Sequence, residues 1–344
     1  MVNQIVDKKC VLIIGSGFSC AVGEKAKIAI PATAGLIKAG KSLIQKNRNP
    51  FPDLLPFIKH AQKYKPDIDI EELYDSVDIA AKMNEHHWID GLPREPEPIL
   101  KQFRHLIALL LSKIMRDRPG RQLTIPCAAM LKPFRVRAIL SLNWDVIVDR
   151  VLDDANLAGD VFETRGIEPN MYGLEQPIYR WDEERKLLCA EIKLGHRAGS
   201  VLLKLHGSLN WFSCRDVKHF IPISPRAVAY AIGNPDLRCP HDGSKMDPLI
   251  LPPSSGKDYS VYPFPTIWRR ALEELKNADR VVFYGCAIRP TDFYLRDLLL
   301  KARMSGKEQP QVFVVDKKSR EIIKRLKELI GYKDVQVWRT PTIS

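Results

Sequence analysis

Short apolar runs that end in glycine or a polar residue alternate with amphipathic helical segments over much of this chain. The runs have the length and aliphatic content of buried strands, and they occupy residues 9–15, 136–145, 200–211, 279–285 and 311–316. Apolar residues at helical spacing fill the segments between the later runs, as in FPTIWRRALEELKNA and FYLRDLLLKARM. Strands that are joined through helices pair in parallel, with helices on both faces of the sheet. The alternation therefore predicts an α/β fold with a doubly wound, Rossmann-like parallel sheet.

Two segments interrupt this alternation and suggest a domain organisation. Residues 41–130 have helical periodicity throughout, which predicts a helical insertion. Residues 1–40 and 131–344 would then form one sheet domain. Residues 212–262 are rich in proline, glycine and polar residues, and we expect an irregular, loop-rich excursion within that domain.

The overall composition is that of an ordinary globular protein with a basic charge balance. Of the 344 residues, 45% are hydrophobic, and the net charge is +12. No apolar run approaches the roughly 20 residues that a membrane-spanning helix needs, and the first residues lack the layout of a signal peptide. We therefore expect a cytoplasmic protein that does not contact a membrane. The positive charge would favour a nucleic-acid partner, but the sequence has no recognised reader motif.

The cysteines argue against both a disulfide framework and a zinc ribbon. Their number, 7, is odd, and no CxxC pair occurs. Within the excursion, Cys214 and Cys239 have His219 and His241 nearby, but these residues lack a standard zinc spacing. The sequence thus predicts no bound metal.

The first two strand ends carry residues suited to binding a dinucleotide. In open α/β sheets, ligands bind outside the carboxyl ends of the strands. Gly15 and Gly17 would let the backbone approach a diphosphate at the start of a helix, and Ser19 is placed to bond a phosphate oxygen. Asn143 and Asp145 follow the second run at a spacing that could direct both side chains to one site. Taken singly, the glycines also fit a tight turn without a ligand, Ser19 fits a helix cap, and Asn143 with Asp145 fits an Asn turn followed by a helix cap.

The later strand ends add a proton-transfer group and a second glycine turn. His206 follows the third run, and an imidazole exchanges protons near neutral pH. Gly285 and Cys286 follow the fourth run, and Asp316 ends the fifth. A structural role is the commoner one for a single strand-end histidine. The occurrence of unusual residues at consecutive strand ends nevertheless favours one shared site.

Four segments, GSGFS, SLNWD, KLHGSLNW and YGCAIRPTD, resemble the sirtuin-like superfamily of NAD-binding domains. More narrowly, LHGSLNW followed by LPPSSGK and FYGCAIRPTDFYLRDLL resembles the bacterial and archaeal sirtuin-like NAD hydrolases of antiphage defence. The resemblance covers roughly residues 10–35 and 136–316 and leaves the helical insertion unaccounted for. It implies a sirtuin-type Rossmann-like fold with NAD as substrate.

The resemblance also implies roles for individual residues. Asn143 would hold the nicotinamide ribose and the attacking water, and His206 would be the general base. Asp145 would contact the nicotinamide pocket, and Asp316 would contact the adenine ribose. Cys286 stands where the family commonly has a hydroxyl side chain, so its hydrogen-bonding role departs from the family pattern. The implied phosphate and ribose contacts are Gly15, Ser16, Gly17, Ser19, Gly285 and Cys286.

The identity of the acceptor distinguishes the two enzymatic alternatives. A sirtuin deacylase forms its acyl-lysine channel beside a zinc ribbon with two CxxC pairs, which this sequence lacks. Water is then the expected acceptor, which predicts an NAD hydrolase that releases ADP-ribose and nicotinamide. An NAD-dependent protein deacylase and a non-catalytic subunit that binds NAD or ADP-ribose remain as alternatives.

The resemblance further implies that the hydrolase is regulated. Such proteins act in abortive infection as homo-oligomers or with an activating partner, such as a ring-forming ATPase or an Argonaute-type protein. The apolar face LIALLLSKIM, residues 106–115, is our candidate assembly surface in the helical insertion. Packing of this face against the rest of the chain is the alternative.

Overall fold

The computed structural model describes most of the chain, in several stretches. They are residues 9–32, 35–40, 51–116, 121–161, 171–174, 176–182, 184, 187–191, 200–214, 219–234, 237–251, 258–289, 292–305 and 309–338. Two parts of the resembling motifs, residues 252–257 and 290–291, lie outside the described residues.

The helices and strands alternate over the first and last parts of the chain. In chain order they are β1 (Cys10–Ile14), α1 (Ser16–Lys25), α2 (Leu54–Tyr64), α3 (Ile70–Met83), β2 (His87–Ile89), β3 (Leu92–Arg94), α4 (Pro96–Arg116), α5 (Arg121–Leu131), β4 (Val136–Ser141), α6 (Ile147–Asp153), α7 (Ala155–Val161), β5 (Ile178–Asp182), β6 (Leu187–Glu191), β7 (Val201–Lys204), β8 (Gly207–Cys214), β9 (Phe220–Pro222), α8 (Val228–Gly233), β10 (Met246–Ile250), α9 (Phe264–Lys276), β11 (Arg280–Tyr284), α10 (Phe293–Ser305), β12 (Gln311–Val315), α11 (Ser319–Arg325) and β13 (Val335–Val337).

A 6-stranded parallel sheet forms the centre of the molecule, in the order β13-β12-β11-β1-β4-β7. Numbered along the chain, these strands have the order 3-2-1-4-5-6, which is that of the Rossmann fold. The predicted fold class, an α/β doubly wound parallel sheet, is confirmed. The strand order reverses between β1 and β11, and a crevice forms outside the strand ends at such a reversal.

The register of the sheet brings the strand ends to one edge. Ile14, the last residue of β1, pairs with Ser141 at the end of β4 and with Tyr284 at the end of β11. Ser141 in turn pairs with Lys204 at the end of β7, and Tyr284 pairs with Val315 at the end of β12. The residues that follow these strands therefore emerge along a single rim.

Burial on both faces explains why the central strands have no polar alternation. Every residue of β1 is buried, as are nearly all residues of β4, β7 and β11. A parallel strand covered by helices on both sides is expected to be a continuous apolar run. This is the pattern that predicts the strands from the sequence.

Helices α2 to α5 and the β2–β3 hairpin occupy residues 54–131, mostly within the predicted helical insertion. Helix α4 is its longest helix, and Leu106, Ile107, Leu110 and Met115 are buried in the hydrophobic core. Most of the LIALLLSKIM face thus packs inside the chain, so the candidate assembly surface was wrong. Of all helices in the described stretches, none has the length and apolarity that a bilayer crossing requires.

The segment expected to be irregular contains a second, antiparallel sheet in the order β10-β8-β9. Pro222 and Pro248 lie within its short strands and obscure the alternation of polar and apolar residues in the sequence. The run 200–211, predicted as one strand, divides into β7 and β8, which belong to different sheets. Gly207 makes this break, because its φ is +81° and a Cβ there would lie 2.2 Å from the Leu249 carbonyl oxygen.

Candidate functional site

A buried hydrogen-bond network joins the ends of β1 and β4. The Asn143 amide nitrogen donates to the Gly15 carbonyl oxygen at 2.9 Å and to Ser19 Oγ at 2.9 Å. Ser19 Oγ donates in turn to Asp145 Oδ2 at 2.6 Å. Because a carbonyl oxygen can only accept, the contact with Gly15 orients the Asn143 amide with its nitrogen toward β1. Both amide hydrogens are then used, and the acceptor Oδ1 is the polar atom of this side chain left for a ligand.

Asp145 links this network to the helix that follows. Its second carboxylate oxygen, Oδ1, accepts a hydrogen bond from the backbone nitrogen of Ile147 at 3.1 Å, in the first turn of α6. The N-cap residue of α6 is Val146 rather than Asp145, but this bond still satisfies one of the free N–H groups in the first turn of the helix. Asp145 also accepts the hydrogen bond from Ser19 and lines the cavity that is described below.

His206 lies in the turn between β7 and β8, with its side chain largely buried. Its carbonyl oxygen accepts from the Leu251 backbone nitrogen at 2.8 Å, which ties the turn to the end of β10. The Trp268 indole donates to the neighbouring Leu205 carbonyl oxygen at 3.1 Å. These contacts hold the backbone of the turn on both sides and so restrict the position of the imidazole.

The glycines of the two glycine turns pack against each other. The Gly17 nitrogen donates to the Gly285 carbonyl oxygen at 3.0 Å. A Cβ on Gly285 would lie 2.0 Å from the Phe18 nitrogen, and one on Gly15 would lie 2.6 Å from the Gly285 carbonyl oxygen. Gly285 also has a φ of +58°, which side chains rarely tolerate. The close approach of the β1 and β11 turns therefore explains why glycine is needed at these positions, with or without a bound ligand.

The remaining predicted residues differ in position. Ser16, in the first turn of α1, and Cys286, after β11, line the cavity. Burial, with the charges of Asp292 and Asp316, raises the pKa of the Cys286 thiol to about 12, so the thiol is neutral at physiological pH. Asp316 lies outside the cavity lining, and its Oδ1 accepts from the Lys318 backbone nitrogen at 2.7 Å at the start of α11.

A cavity opens at the rim of the sheet where the strand order reverses. The space between its walls, ≈ 870 Å³, is partly open to solvent. Its apolar wall includes Ile30, Leu111, Trp144 and Ile288. The predicted site residues in its lining are Gly15, Ser16, Ser19, Asn143, Asp145, His206 and Cys286. The structure thus brings Asn143 and His206 to the same cavity.

The sequence reasoning missed a charged group at this cavity. Glu71 from α3 lines it together with Arg289 and Asp292. The Arg289 guanidinium lies 2.5 Å from Glu71 and 3.5 Å from Asp69. Burial raises the pKa of Glu71 despite the attraction of Arg289. No periodicity or motif indicates that α3 reaches the sheet rim, so only the tertiary fold could reveal this ion pair.

A buried hydrogen-bond network around Lys204 supports the site, and the sequence analysis did not predict it. Lys204, at the end of β7, donates to the Asp145 carbonyl oxygen at 2.6 Å and to Asp149 Oδ2 at 3.2 Å. Tyr172 donates to Asp149 Oδ1 at 2.6 Å, and Asn210 donates to the Tyr172 hydroxyl at 2.7 Å. Lys204 and Asp149 are almost fully buried, at 1% and 0% exposure of their side chains. This buried network fixes the backbone that carries Asp145.

Comparison with known proteins gives matches only among solved structures. No protein-family model matches the sequence, and no curated protein matches it. A Sir2 homolog–NAD complex is 15% identical, with 97% of this chain and 85% of that chain covered and a TM-score of 0.41. A Sir2 homologue variant in complex with 2′-O-acetyl ADP ribose is 15% identical, with coverage of 96% and 95% and a TM-score of 0.37.

A Sir2–p53 peptide–NAD⁺ structure is 13% identical, with coverage of 95% and 95% and a TM-score of 0.34. All three structures are Sir2 proteins, the family that the sequence motifs resemble. The likeness is loose in both sequence and geometry. The strand order of the sheet establishes the fold class independently of this likeness.

Proposed function

We propose that this protein is an NAD hydrolase that cleaves the bond between nicotinamide and ribose. The observation that carries the proposal is the convergence of Asn143 and His206 on one cavity at the reversal of the strand order. Dinucleotides bind across the crevice at this position in sheets with this strand order. The glycine turn and the start of α1 lie in its wall, where a diphosphate is favoured.

The chemistry of NAD suits the groups that the cavity offers. Nicotinamide carries a positive charge when bound to ribose and leaves as a neutral molecule, so the leaving group needs no protonation. The enzyme must hold the ribose and supply a proton acceptor. Asn143 Oδ1 would accept a hydrogen bond from a ribose hydroxyl, since the amide hydrogens already bond Gly15 and Ser19. His206 would take the proton from a ribose hydroxyl or from water.

The other predicted contacts complete the proposal. Gly15, Ser16, Gly17 and Ser19 would surround the diphosphate, with Gly285 and Cys286 on the opposite turn. Ser19 would have to exchange its bond with Asp145 for one with a phosphate oxygen. Asp316 would reach the adenine ribose only from outside the cavity lining. Asp145 would lie near the nicotinamide.

The resemblance to antiphage NAD hydrolases supports a proposal for the cellular role. We propose that the protein depletes the cytoplasmic NAD pool during infection. The enzyme would be held inactive within a homo-oligomer, or it would be activated by a partner such as a ring-forming ATPase or an Argonaute-type protein. Because most of the LIALLLSKIM face is buried, such contacts would use another surface.

The test measures nicotinamide release from NAD by the purified full-length chain, with and without the products of neighbouring genes. We expect release from the wild type, a loss of roughly 10²–10⁴-fold in His206→Ala and a similar loss in Asn143→Ala. His86→Ala serves as the control, because His86 is exposed and outside the cavity lining. Release by His206→Ala at the rate of the control would contradict the proposal.

The same assay separates the alternatives. Release that requires an acetylated peptide would identify a deacylase. NAD binding by calorimetry without release under any activating condition would identify a binding subunit.

A further inference from the structure

The imidazole of His206 borders the cavity and also packs against an aromatic cluster. The rings of His206 and Tyr259 have centroids 6.4 Å apart, with an angle of 35° between their planes. His206 lines the cavity, whereas Tyr259 lies outside the lining. The Tyr259 ring therefore borders the imidazole from outside the cavity. The cluster consists of Tyr259, Phe264, Trp268 and Tyr294.

The other rings of the cluster hold Tyr259 in place. Its ring centroid lies 4.4 Å from that of Tyr294, 4.6 Å from that of Trp268 and 6.0 Å from that of Phe264, and all three contacts are edge-to-face. Aromatic quadrupoles favour this geometry. Trp268 is anchored in turn, because its indole donates to the Leu205 carbonyl oxygen at 3.1 Å. The cluster and the turn that carries the imidazole thus form one packed unit.

The hydroxyl end of Tyr259 is closed to solvent as well. Its oxygen is buried and has no hydrogen-bond partner within the part of the chain that the structure describes. Burial, reinforced by Asp292 and Tyr294, raises the pKa of this hydroxyl far above its ordinary value, so the hydroxyl stays neutral. Solvent therefore does not reach the imidazole past this end of the side chain. The ring, rather than the hydroxyl, makes the contacts of Tyr259.

We propose that Tyr259 determines which acceptor the enzyme uses, because its ring leaves room beside His206 for water but not for a larger nucleophile. This inference rests on the proposed function. In that reaction the bond between ribose C1′ and the nicotinamide nitrogen breaks, and its electron pair leaves with nicotinamide. A bond forms between C1′ and the oxygen of the acceptor, whose proton passes to His206. The acceptor must therefore fit beside the imidazole, where Tyr259 limits the space.

The size of the acceptor is what such a wall can discriminate. In an apolar pocket, one additional methylene group changes the rate by roughly 10–200-fold. Methanol exceeds water by one carbon and is therefore the smallest probe of the space beside His206. An acyl-lysine side chain is much larger and would need the space that the Tyr259 cluster occupies. The cluster thus supports hydrolysis over deacylation independently of the cysteine pattern.

The experiment offers methanol as a competing acceptor and measures the ratio of methyl ADP-ribose to ADP-ribose by mass spectrometry. We expect the wild type to form ADP-ribose almost alone, and Tyr259→Ala should raise the ratio by roughly 10–200-fold. Tyr259→Phe keeps the ring and should keep the wild-type ratio, since the hydroxyl bonds no described group. Equal ratios in the wild type and Tyr259→Ala would overturn the proposal. A wild type that uses methanol and water in proportion to their concentrations would do the same.

Tyr262→Ala is the matched control. Tyr262 follows three residues later, is 39% exposed, and its ring contacts Phe220 in the second sheet. This variant should keep the wild-type ratio. The ratio reports only on molecules that react, so a partial loss of folded protein does not alter it. Tyr259→Leu creates a smaller gap, should give an intermediate ratio, and replaces Tyr259→Ala as the test if that variant does not fold.

Total nicotinamide release separates this inference from the proposed function. A wild type that releases no nicotinamide under any activating condition would contradict the proposed function itself. Release with an unchanged product ratio in Tyr259→Ala and Tyr259→Leu would leave the hydrolase in place and refute only the role of Tyr259.

Discussion

At the scale of single residues, the site depends on where buried polar groups find their partners. The Asn143 amide donates both of its hydrogens, to Gly15 and to Ser19, so the fold sets its orientation before any ligand binds. Such preorganised dipoles cost no rearrangement when charge develops in a transition state. A residue proposed to hold a ribose is thereby held in place itself.

The buried pair of Lys204 and Asp149 gives a prediction about stability. Lys204→Met should lower the free energy of unfolding by roughly 3–5 kcal/mol, because it leaves the Asp149 carboxylate buried without its cation. Urea denaturation followed by tryptophan fluorescence measures the change. Lys63→Met, which removes an exposed partner of Asp90, is the control and should leave the midpoint unchanged. Equal effects of the two substitutions would contradict the role of the buried pair.

The ion pair of Glu71 and Arg289 gives a prediction about affinity. A dinucleotide diphosphate at the cavity would compete with Glu71 for the Arg289 guanidinium. Glu71→Gln removes the competing charge and should lower the Kd for NAD several-fold, as measured by calorimetry. Arg289→Gln should raise the Kd. Glu72→Gln changes the neighbouring carboxylate, which pairs with Lys65 instead, and should leave the Kd unchanged.

The pH dependence of NAD binding provides a further check on this ion pair. Burial, reinforced by Asp292 and Asp69, raises the pKa of Glu71 above its ordinary value, although Arg289 opposes the shift. As the pH falls toward that raised pKa, Glu71 takes up a proton and releases Arg289. The affinity of the wild type should therefore increase on mild acidification relative to that of Glu71→Gln. Parallel profiles for the two proteins would show that Glu71 does not compete.

At the scale of elements, the two glycine turns act as one packed unit. Gly285→Ala should lower stability by more than the roughly 1–2 kcal/mol that a left-handed conformation costs a side chain, because its Cβ would meet the Phe18 nitrogen at 2.0 Å. It should also weaken NAD binding, since the turn of β1 must move.

The matched control for this substitution is Gly91→Ala in the β2–β3 hairpin. Gly91 has a φ of +78°, but no atom lies within 4 Å of a Cβ at that position. This variant should show only the cost of backbone strain and normal NAD binding. Thermal unfolding and calorimetry of both variants distinguish the effect of steric collision from that of backbone strain. Equal losses of stability and of NAD affinity in the two variants would contradict the role of close packing at Gly285.

At the scale of the whole molecule, helix α4 belongs to the core rather than to an exposed assembly surface. Leu106→Ala should lower the free energy of unfolding by about 2–5 kcal/mol through loss of buried contacts, since this side chain is 1% exposed. The mass of the native particle should not change, as measured by light scattering. Ile79→Ala, at a side chain that is 52% exposed, should change stability by less than about 0.5 kcal/mol. A smaller particle with wild-type stability would restore α4 as an assembly surface.

The sequence by itself determined the class of fold and the rim on which the candidate residues lie. Buried parallel strands must be apolar, and their alternation with helices leaves few topologies, so β1, β4, β7 and β11 could be found from pattern alone. Strand ends in such a sheet share one edge, which placed Asn143, Asp145 and His206 together. These inferences needed only local periodicity and a general rule of topology.

Only the tertiary structure decided which distant residues meet. Glu71 reaches Arg289 because α3 lies over the rim, and Cys214 reaches Cys239 because β8 and β10 pair in a second sheet. The close packing of Gly15 against Gly285 likewise depends on the adjacency of β1 and β11. Such contacts arise from packing between elements that are far apart in the chain. A local sequence pattern predicts a helix or a strand, but it does not indicate which distant residue that element will contact.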